Sequence, residues 1–214
     1  MTTPPTIFTI GHSTHEFSYF VELLRQHGVT AVADVRSAPY SRHSPQFSRE
    51  PLERGLKAQG IHYVFLGREL GARPNDPTCY IDGRVQFSRL AATPLFQRGI
   101  DRILEGAENY VIAIMCAEKE LLECHRTLLV ARALVERGVE VVHILADGSL
   151  ESYEESLERL VRVLGLPHSD LLRTHDHIIA EALAAQEKKV AYMDRTPQPD
   201  HGAESPLKPT TAPL

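Results

Sequence analysis

The feature that most constrains the fold is an alternation of short apolar runs with longer amphipathic stretches. Five runs rich in β-branched side chains cover residues 6–11, 31–35, 62–67, 110–116 and 139–145. Their apolar character is nearly continuous rather than strictly alternating, which is typical of strands covered on both faces of a parallel sheet.

Between these runs, apolar residues recur at the three- and four-residue spacing of amphipathic helices. The predicted helices cover residues 16–27, 51–59, 95–104, 126–137, 150–164 and 175–190. Ser13 and Glu16 have the spacing of a capping box for the first helix. Right-handed crossovers then predict an α/β fold of three layers (α/β/α) around an open, mainly parallel, Rossmann-like sheet of about five strands.

Length and composition predict one domain with a tail. The chain has 214 residues, enough for a single full-sized core. We expect residues 1–194 to form one α/β domain. Residues 195–214 are rich in proline and predict a disordered tail.

The charge and cysteine content limit the classes of partner. A net charge of −5 argues against a generally basic surface that coats nucleic acid. It does not exclude a local basic cleft. Three cysteines do not make a disulfide framework. The start of the chain shows no signal-peptide pattern and no apolar run is long enough to span a bilayer. We therefore expect a cytoplasmic protein with reduced thiols and no membrane partner.

Polar residues follow the predicted strands at the edge where open α/β sheets bind ligands. His12 follows the first strand, and Asp34, Arg36 and Ser37 lie at the end of the second. The arginine fork suits a phosphate or carboxylate, while the alternative is an internal Asp34–Arg36 pair. His12 is either an acid–base group or a structural hydrogen-bonding residue.

The segment MCAEKELLECHR, residues 115–126, is the densest in chemical groups. A metal site would use Cys116, Glu118, Cys124 and His125, although the spacing is not that of a standard zinc motif. A thiolate near a helix start is a second possibility. Buried thiols beside a Glu118–Arg126 salt bridge, or a non-covalent polar pocket, are the others.

The sequence indicates no particular cofactor. The segment LGRELG has glycines but neither a dinucleotide-binding nor a phosphate-loop pattern. The connection over residues 68–95 is long, and long connections in compact domains are often functional.

Five segments together resemble a known family: TIGHST, ADVRSAPYSR, FLGRELG, MCAEKELLECHR and AAQEKKVAY. In the same order they resemble a mostly bacterial family catalogued as domain of unknown function 488, over about Ile7 to Tyr192. The family's CAE and CHR segments match residues 116–118 and 124–126. The chain departs from the family pattern at residues 121–122, where a common proline is missing, and at Ala72, where a second glycine is frequent. The resemblance implies a shared site but no established reaction.

The leading hypothesis is an enzyme of unknown reaction that binds a small anionic ligand, such as a nucleotide or phosphorylated metabolite. Arg36 and Arg126 would bind the anion, with Asp34 and Ser37 beside them. His12, Glu118 or His125 would transfer protons, because these side chains can act as general acids or bases.

A metalloenzyme is one alternative, and a nucleic-acid-binding or partner-binding module is another. The binding module would use a basic strip formed by Arg36, Arg42, His43 and Arg49. It is not favoured, since the chain is acidic and no pattern of stacking aromatic residues accompanies the strip.

Overall fold

The centre of the structure is a parallel sheet, as the apolar runs predict. The computed structural model describes residues 5–167 and 173–194. The strands within these residues are β1 (Thr6–Gly11), β2 (Ala31–Asp34), β3 (His62–Phe65), β4 (Tyr80–Ile81), β5 (Arg84–Val85), β6 (Ile112–Cys116), β7 (Glu140–Ile144) and β8 (Leu150–Ser152).

Helices connect the strands and cover both faces of the sheet. Within the described residues the α-helices are α1 (Phe17–Gln26), α2 (Arg49–Ala58), α3 (Gly67–Leu70), α4 (Phe87–Ala91), α5 (Pro94–Ala107), α6 (Arg132–Glu136), α7 (Tyr153–Val163) and α8 (His175–Val190). A π-helix spans Arg126–Ala131, and short 3-10 turns span Pro45–Phe47, Pro77–Cys79 and Leu121–Glu123.

The sheet has six strands in the order β3-β2-β6-β1-β7-β8. The first five in this order are parallel, and they are the five predicted strands. β8 pairs antiparallel with β7 at the edge. The three-layer α/β/α prediction is therefore confirmed, and a short antiparallel edge strand is added to it.

Alternating side chains of each strand enter two separate cores. On one face Ile10, Val32 and Met115 pack with α1 and α2. On the other face Ala33 and Ile114 pack with α5, α6 and the later helices. Period-two alternation directs successive side chains to opposite faces, so both faces need apolar residues and each strand becomes a continuous apolar run.

The connectivity creates a crevice where β1 and β6 lie side by side. β1 leads through α1 to β2, whereas β6 leads through the π-helix and α6 to β7. The two adjacent strands thus send their chains toward opposite ends of the sheet. In open α/β sheets, ligands bind beyond the carboxyl ends of strands at such a point.

Two local predictions were wrong at helix starts. Ser13 does not cap α1; its φ is 49°, and Glu16 precedes the helix without a side-chain capping bond. The predicted helix 150–164 begins as the strand β8, and its capping box lies at Ser152 and Glu155. Three strand residues before a helix carry too little periodicity to be recognised, which explains the second error.

The predicted helix 126–137 is divided in the structure. Its first six residues, Arg126–Ala131, are π-helical and all buried, and only Arg132–Glu136 is α-helical. Single π turns inside helices occur frequently at functional sites. The long connection over residues 68–95 is also ordered, since it contains α3, the β4–β5 hairpin and α4.

Within the described residues, no helix is long and apolar enough to cross a membrane. The predicted tail, residues 195–214, lies outside the described residues.

Phe20→Ala tests the core between the sheet and α1. Phe20 is fully buried and contacts Phe47 with ring centroids 5.1 Å apart. Removing the ring leaves a cavity, so we expect the free energy of unfolding to fall by about 3–5 kcal/mol in urea titrations. Val163→Ala is the control, because Val163 is 69% exposed and should change the value by less than about 1 kcal/mol. Equal losses in the two variants would contradict the assignment of the core.

Candidate functional site

A polar crevice of about 410 Å³ opens at the carboxyl ends of β1, β2 and β6. Its wall combines the strand exits, the start of the π-helix region, the segment after α3 and the chain after α8. The lining residues are His12, Arg36, Ser37, Ala38, Tyr40, Ser41, Ala72, Arg73, Cys116, Ala117, Glu118, Glu123, His125, Val190 and Tyr192.

The loop after β6 lies directly on the end of β1. The backbone N–H groups of His12 and Ser13 donate to the carbonyls of Cys116 and Ala117, at 2.9 and 3.0 Å. A Cβ atom at Gly11 would lie 2.0 Å from the Glu118 carbonyl oxygen. Only glycine therefore allows the two strand ends to approach this closely.

A buried guanidinium fixes the same loop from the other side. Arg126 is 2% exposed, and its Nη1 donates to the Glu118 carbonyl at 2.7 Å while Nη2 donates to that of Lys119 at 3.4 Å. Arg126 lies behind the crevice wall and is not among the residues that line the crevice. The contacts of its side chain are thus with the loop.

Asp34 and Arg36 form a buried ion pair beneath the crevice. Arg36 Nε and Nη2 donate to the two Asp34 carboxylate oxygens at 2.9 and 2.6 Å, and Nη2 also donates to the Phe47 carbonyl at 2.8 Å. Tyr63 adds a hydroxyl donor to Asp34 at 2.8 Å. Nε and Nη2 of Arg36 therefore donate to protein groups, while Nη1 lies 3.1 Å from His12 Nε2. Arg36 and His12 both line the crevice.

His12 is held as a neutral imidazole. Arg36 Nη1 lies 3.1 Å from His12 Nε2, and a guanidinium can only donate, so Nε2 accepts. Nδ1 then carries the proton and donates to the Ser13 carbonyl at 2.8 Å. Burial, and next the charge of Arg36, lower the pKa of His12 to about 4. The ring stacks on Phe47 with centroids 4.4 Å apart. The orientation of the His12 ring is therefore fixed by this stacking and by the partners of its two nitrogens.

Cys116, Cys124 and His125 bring three potential metal ligands together. The two Sγ atoms and a ring nitrogen all lie within 4.8 Å of one another, and all three residues are buried. His125 Nδ1 is 3.7 Å from Cys116 Sγ and 3.9 Å from Cys124 Sγ. Its Nε2 is 3.0 Å from the Val35 carbonyl, so Nε2 donates and Nδ1 presents its lone pair to the sulfurs.

The two thiols have opposite electrostatic surroundings. Burial raises the pKa of Cys116 well above its ordinary value, and the hydrogen bond with Cys124 adds to this. Burial also opposes ionisation of Cys124, but the hydrogen bond with Cys116 and the charge of Arg126 outweigh it and lower the pKa of Cys124. His125 has a raised pKa, because the contact with Cys124 outweighs the burial that would lower it.

Glu118 lies next to the cluster at the mouth of the crevice. Its Oε2 is 3.1 Å from Cys124 Sγ, although Glu118 does not belong to the group of mutually close ligand atoms. The Cys124 thiol is the donor of this hydrogen bond and the Glu118 carboxylate oxygen is the acceptor. The backbone N–H of Arg126, two residues further along the chain, also donates to Cys124 Sγ at 3.4 Å.

The structure brings most of the predicted site residues to one crevice and leaves three behind its wall. His12, Arg36, Ser37, Cys116, Glu118 and His125 line the crevice. Asp34, Cys124 and Arg126 are buried beside these residues and contact them. Arg73 and Tyr192 line the crevice but were missed, because Arg73 follows a glycine-containing turn and Tyr192 lies 66 residues beyond Arg126, the last predicted site residue.

The four residues of the basic strip in the binding-module hypothesis differ in exposure. Arg36 is 5% exposed and paired with Asp34. Arg42, His43 and Arg49 are exposed, and the Arg49 guanidinium carbon lies 4.7 Å from the Phe65 ring centroid. One of the four side chains is therefore withdrawn from the surface.

The chain matches one protein-family model, described as "Domain of unknown function DUF488", over residues 16–133. This stretch is more than half of the chain and contains β2, β3, β6 and the Cys/His cluster. The family resemblance inferred from the motifs is thereby confirmed. Comparisons with curated proteins and with solved structures gave no match.

Asp34→Asn tests whether the buried ion pair supports the crevice. The substitution leaves the Arg36 guanidinium charged and without its carboxylate, so we expect a loss of about 3–5 kcal/mol in the free energy of unfolding. Asp101→Asn is the matched control, because Asp101 and Arg137 pair at the surface with 48% and 42% exposed side chains. That change should cost less than about 1 kcal/mol. Urea titrations of both variants measure the difference, and equal effects would argue against the buried pair.

Proposed function

The chain belongs to the family described as domain of unknown function DUF488, and we propose that its crevice is the active site of a metal-dependent hydrolytic enzyme. The metal ion would be bound by Cys116, Cys124 and His125. The substrate would be a small molecule with an anionic group. The observation that carries the proposal is the geometry of the three ligand atoms.

The spacing of these atoms fits a tetrahedral metal. With metal–sulfur and metal–nitrogen bonds of about 2.3 and 2.0–2.1 Å, tetrahedral angles separate a sulfur and a nitrogen ligand by about 3.6 Å. The observed separations from His125 Nδ1 are 3.7 and 3.9 Å. Two sulfurs and one imidazole favour a thiophilic ion such as Zn²⁺ or Fe²⁺ over Mg²⁺ or Ca²⁺.

The surroundings of the cluster also suit a metal site. A ligating histidine usually donates its other N–H to a carboxylate or backbone carbonyl, and His125 Nε2 donates to the Val35 carbonyl. In the structure the Cys124 thiol donates a hydrogen bond to the Glu118 carboxylate 3.1 Å away, and a bound cation would take the place of that proton. The hydrogen bonds of His125 and Cys124 therefore fit the same ligands.

Three protein ligands beside an open crevice are the arrangement of a catalytic rather than a structural site. Cys116 and His125 both line the crevice, so an ion held by them would be accessible to a substrate in it. A metal ion bound here would polarise the substrate and lower the pKa of a water molecule. Glu118, exposed at the crevice mouth and next to Cys124, would accept the proton of that water and return it to the leaving group.

The crevice also offers donors for an anion. Arg36 and Ser37 both line it, and Ser37 Oγ already accepts the backbone N–H of Arg73 at 3.1 Å. Asp34 would orient the Arg36 guanidinium, and His12 Nε2 would accept a hydrogen bond from Arg36 Nη1. Arg126 would act indirectly in this proposal, by fixing the loop that carries Glu118.

Metal content tests the proposal directly. The purified full-length protein, reconstituted with Zn²⁺ or Fe²⁺ under reducing conditions and freed of excess ion, should retain about one ion per chain by elemental analysis. Cys116→Ala, Cys124→Ala and His125→Ala should each lower the retained metal at least tenfold, since each removes one of three ligands.

Cys79→Ala is the control, because Cys79 is the third buried free cysteine and lies outside the cluster. It should retain metal at the wild-type level. The proposal would be lost if the wild-type protein retained no stoichiometric metal, or if Cys79→Ala reduced the content as much as Cys116→Ala.

A further inference from the structure

A second cavity continues from the crevice. Its volume is about 660 Å³, and it shares two residues with the crevice, Arg73 and Tyr192. The remaining lining residues are Pro74, Asn75, Pro77, Tyr80, Asp82, Gly83 and Asp194. A ligand in the crevice can therefore extend past Arg73 into this outer cavity.

Arg73 is an exposed cation that lines both cavities. Its guanidinium carbon lies 4.7 Å from the Tyr192 ring centroid, and its backbone N–H donates to Ser37 Oγ. Among residues 5–167 and 173–194, no carboxylate forms an ion pair with it. The guanidinium thus has its position set by an aromatic ring and keeps its N–H donors for an anion.

The wall that carries Tyr192 is held by backbone bonds. The N–H of Val85 donates to the Tyr192 carbonyl at 3.0 Å, and that of Asp194 donates to the Gly83 carbonyl at 2.7 Å. A β-bridge joins Arg84 to Met193. The segment after α8 is therefore attached to the β4–β5 hairpin by an isolated bridge and its flanking backbone bonds, and Tyr192 is held beside Arg73.

The outer cavity offers oxygen acceptors rather than apolar surface. Asp82 lies in the β4–β5 turn with φ of 48°, and Asn75 contributes an amide. Carboxylate and amide groups are typical partners of sugar hydroxyls, as at the ribose of bound nucleotides. The second half of the ligand should therefore carry hydroxyl groups.

We propose that the substrate is a sugar-like molecule with an anionic group, phosphate or carboxylate. The anionic group binds Arg73 at the junction, with the Ser37 hydroxyl beside it. The hydroxyl-bearing part lies in the outer cavity against Asp82 and Asn75, and the reacting group points toward Cys116 and His125. The reaction assigned to this ligand rests on the proposed metal-dependent function, whereas its binding does not require the metal.

Isothermal titration of the full-length protein with defined probes tests this assignment. Ribose 5-phosphate and ribonate should each bind at least tenfold more tightly than ribose. The tighter of the two identifies the anion as phosphate or carboxylate. It should also bind at least tenfold more tightly than inorganic phosphate or acetate, respectively. Equal affinities of the whole probe and its anionic half would overturn the role of the outer cavity.

Variants separate the two halves of the site. Arg73→Gln should weaken the whole probe at least tenfold and leave ribose unchanged, whereas Asp82→Asn should weaken the whole probe and leave the free anion unchanged. Arg54→Gln is the control, because Arg54 is exposed on α2 and lines neither cavity. A loss in Arg54→Gln as large as that in Arg73→Gln would overturn the proposal.

The same titrations on Cys116→Ala distinguish this inference from the metal assignment. Probe binding that persists in the variant, together with a failed metal test, removes the proposed function alone. Stoichiometric metal in the wild-type protein without selective binding of any probe removes the anionic-sugar assignment alone.

Discussion

The contact on which the site depends is the one between the Arg126 guanidinium and the carbonyls of the loop after β6. It holds the loop against Gly11 at the end of β1, and the loop in turn carries Glu118 to Cys124. A buried charge is costly unless it is hydrogen-bonded, and here backbone carbonyls satisfy part of the requirement. Nε of Arg126 has no hydrogen-bond partner among the described residues, so the loop carbonyls are the principal compensation. Breaking the hydrogen bond to the Glu118 or the Lys119 carbonyl would therefore affect both the stability of the π-helix start and the position of Glu118.

The sequence was sufficient for the parallel sheet and for the place of the crevice. Strands covered on both faces must be apolar throughout, and that pattern survives in a single sequence as five separate runs. The edge strand β8 was not recognisable, because a three-residue edge strand has one solvated side and no repeat. The π-helical turn was also hidden, since a π turn and an α turn bury the same apolar residues. Serine is a common helix-capping residue, but the N–H of Ser13 donates to the carbonyl of Ala117 in a distant segment of the chain.

The site could be predicted as a set of residues but not as a set of roles. Position at the strand exits brought His12, Arg36 and Glu118 to one crevice, because parallel strands end at the same edge. Roles depend on which donors are already used, and that is a property of three-dimensional contacts. The Asp34–Arg36 pair was foreseen as an alternative, whereas the engagement of both nitrogens of His12 was not. Convergence of Cys116 with Cys124 and His125 also required the fold, since seven residues of loop and turn separate the two cysteines.

The backbone bonds between the segment after α8 and the β4–β5 hairpin have a consequence for the order of folding. They join Val85 to Tyr192 and Gly83 to Asp194, which are pairs more than 100 residues apart in the chain. Contacts over such a separation require the closure of a long loop, whereas contacts between near neighbours in the chain form first. The Cys/His cluster lies within residues 116–125, so its members are near neighbours. The crevice wall that carries Tyr192 is therefore completed late in folding, after α8 has docked on the sheet.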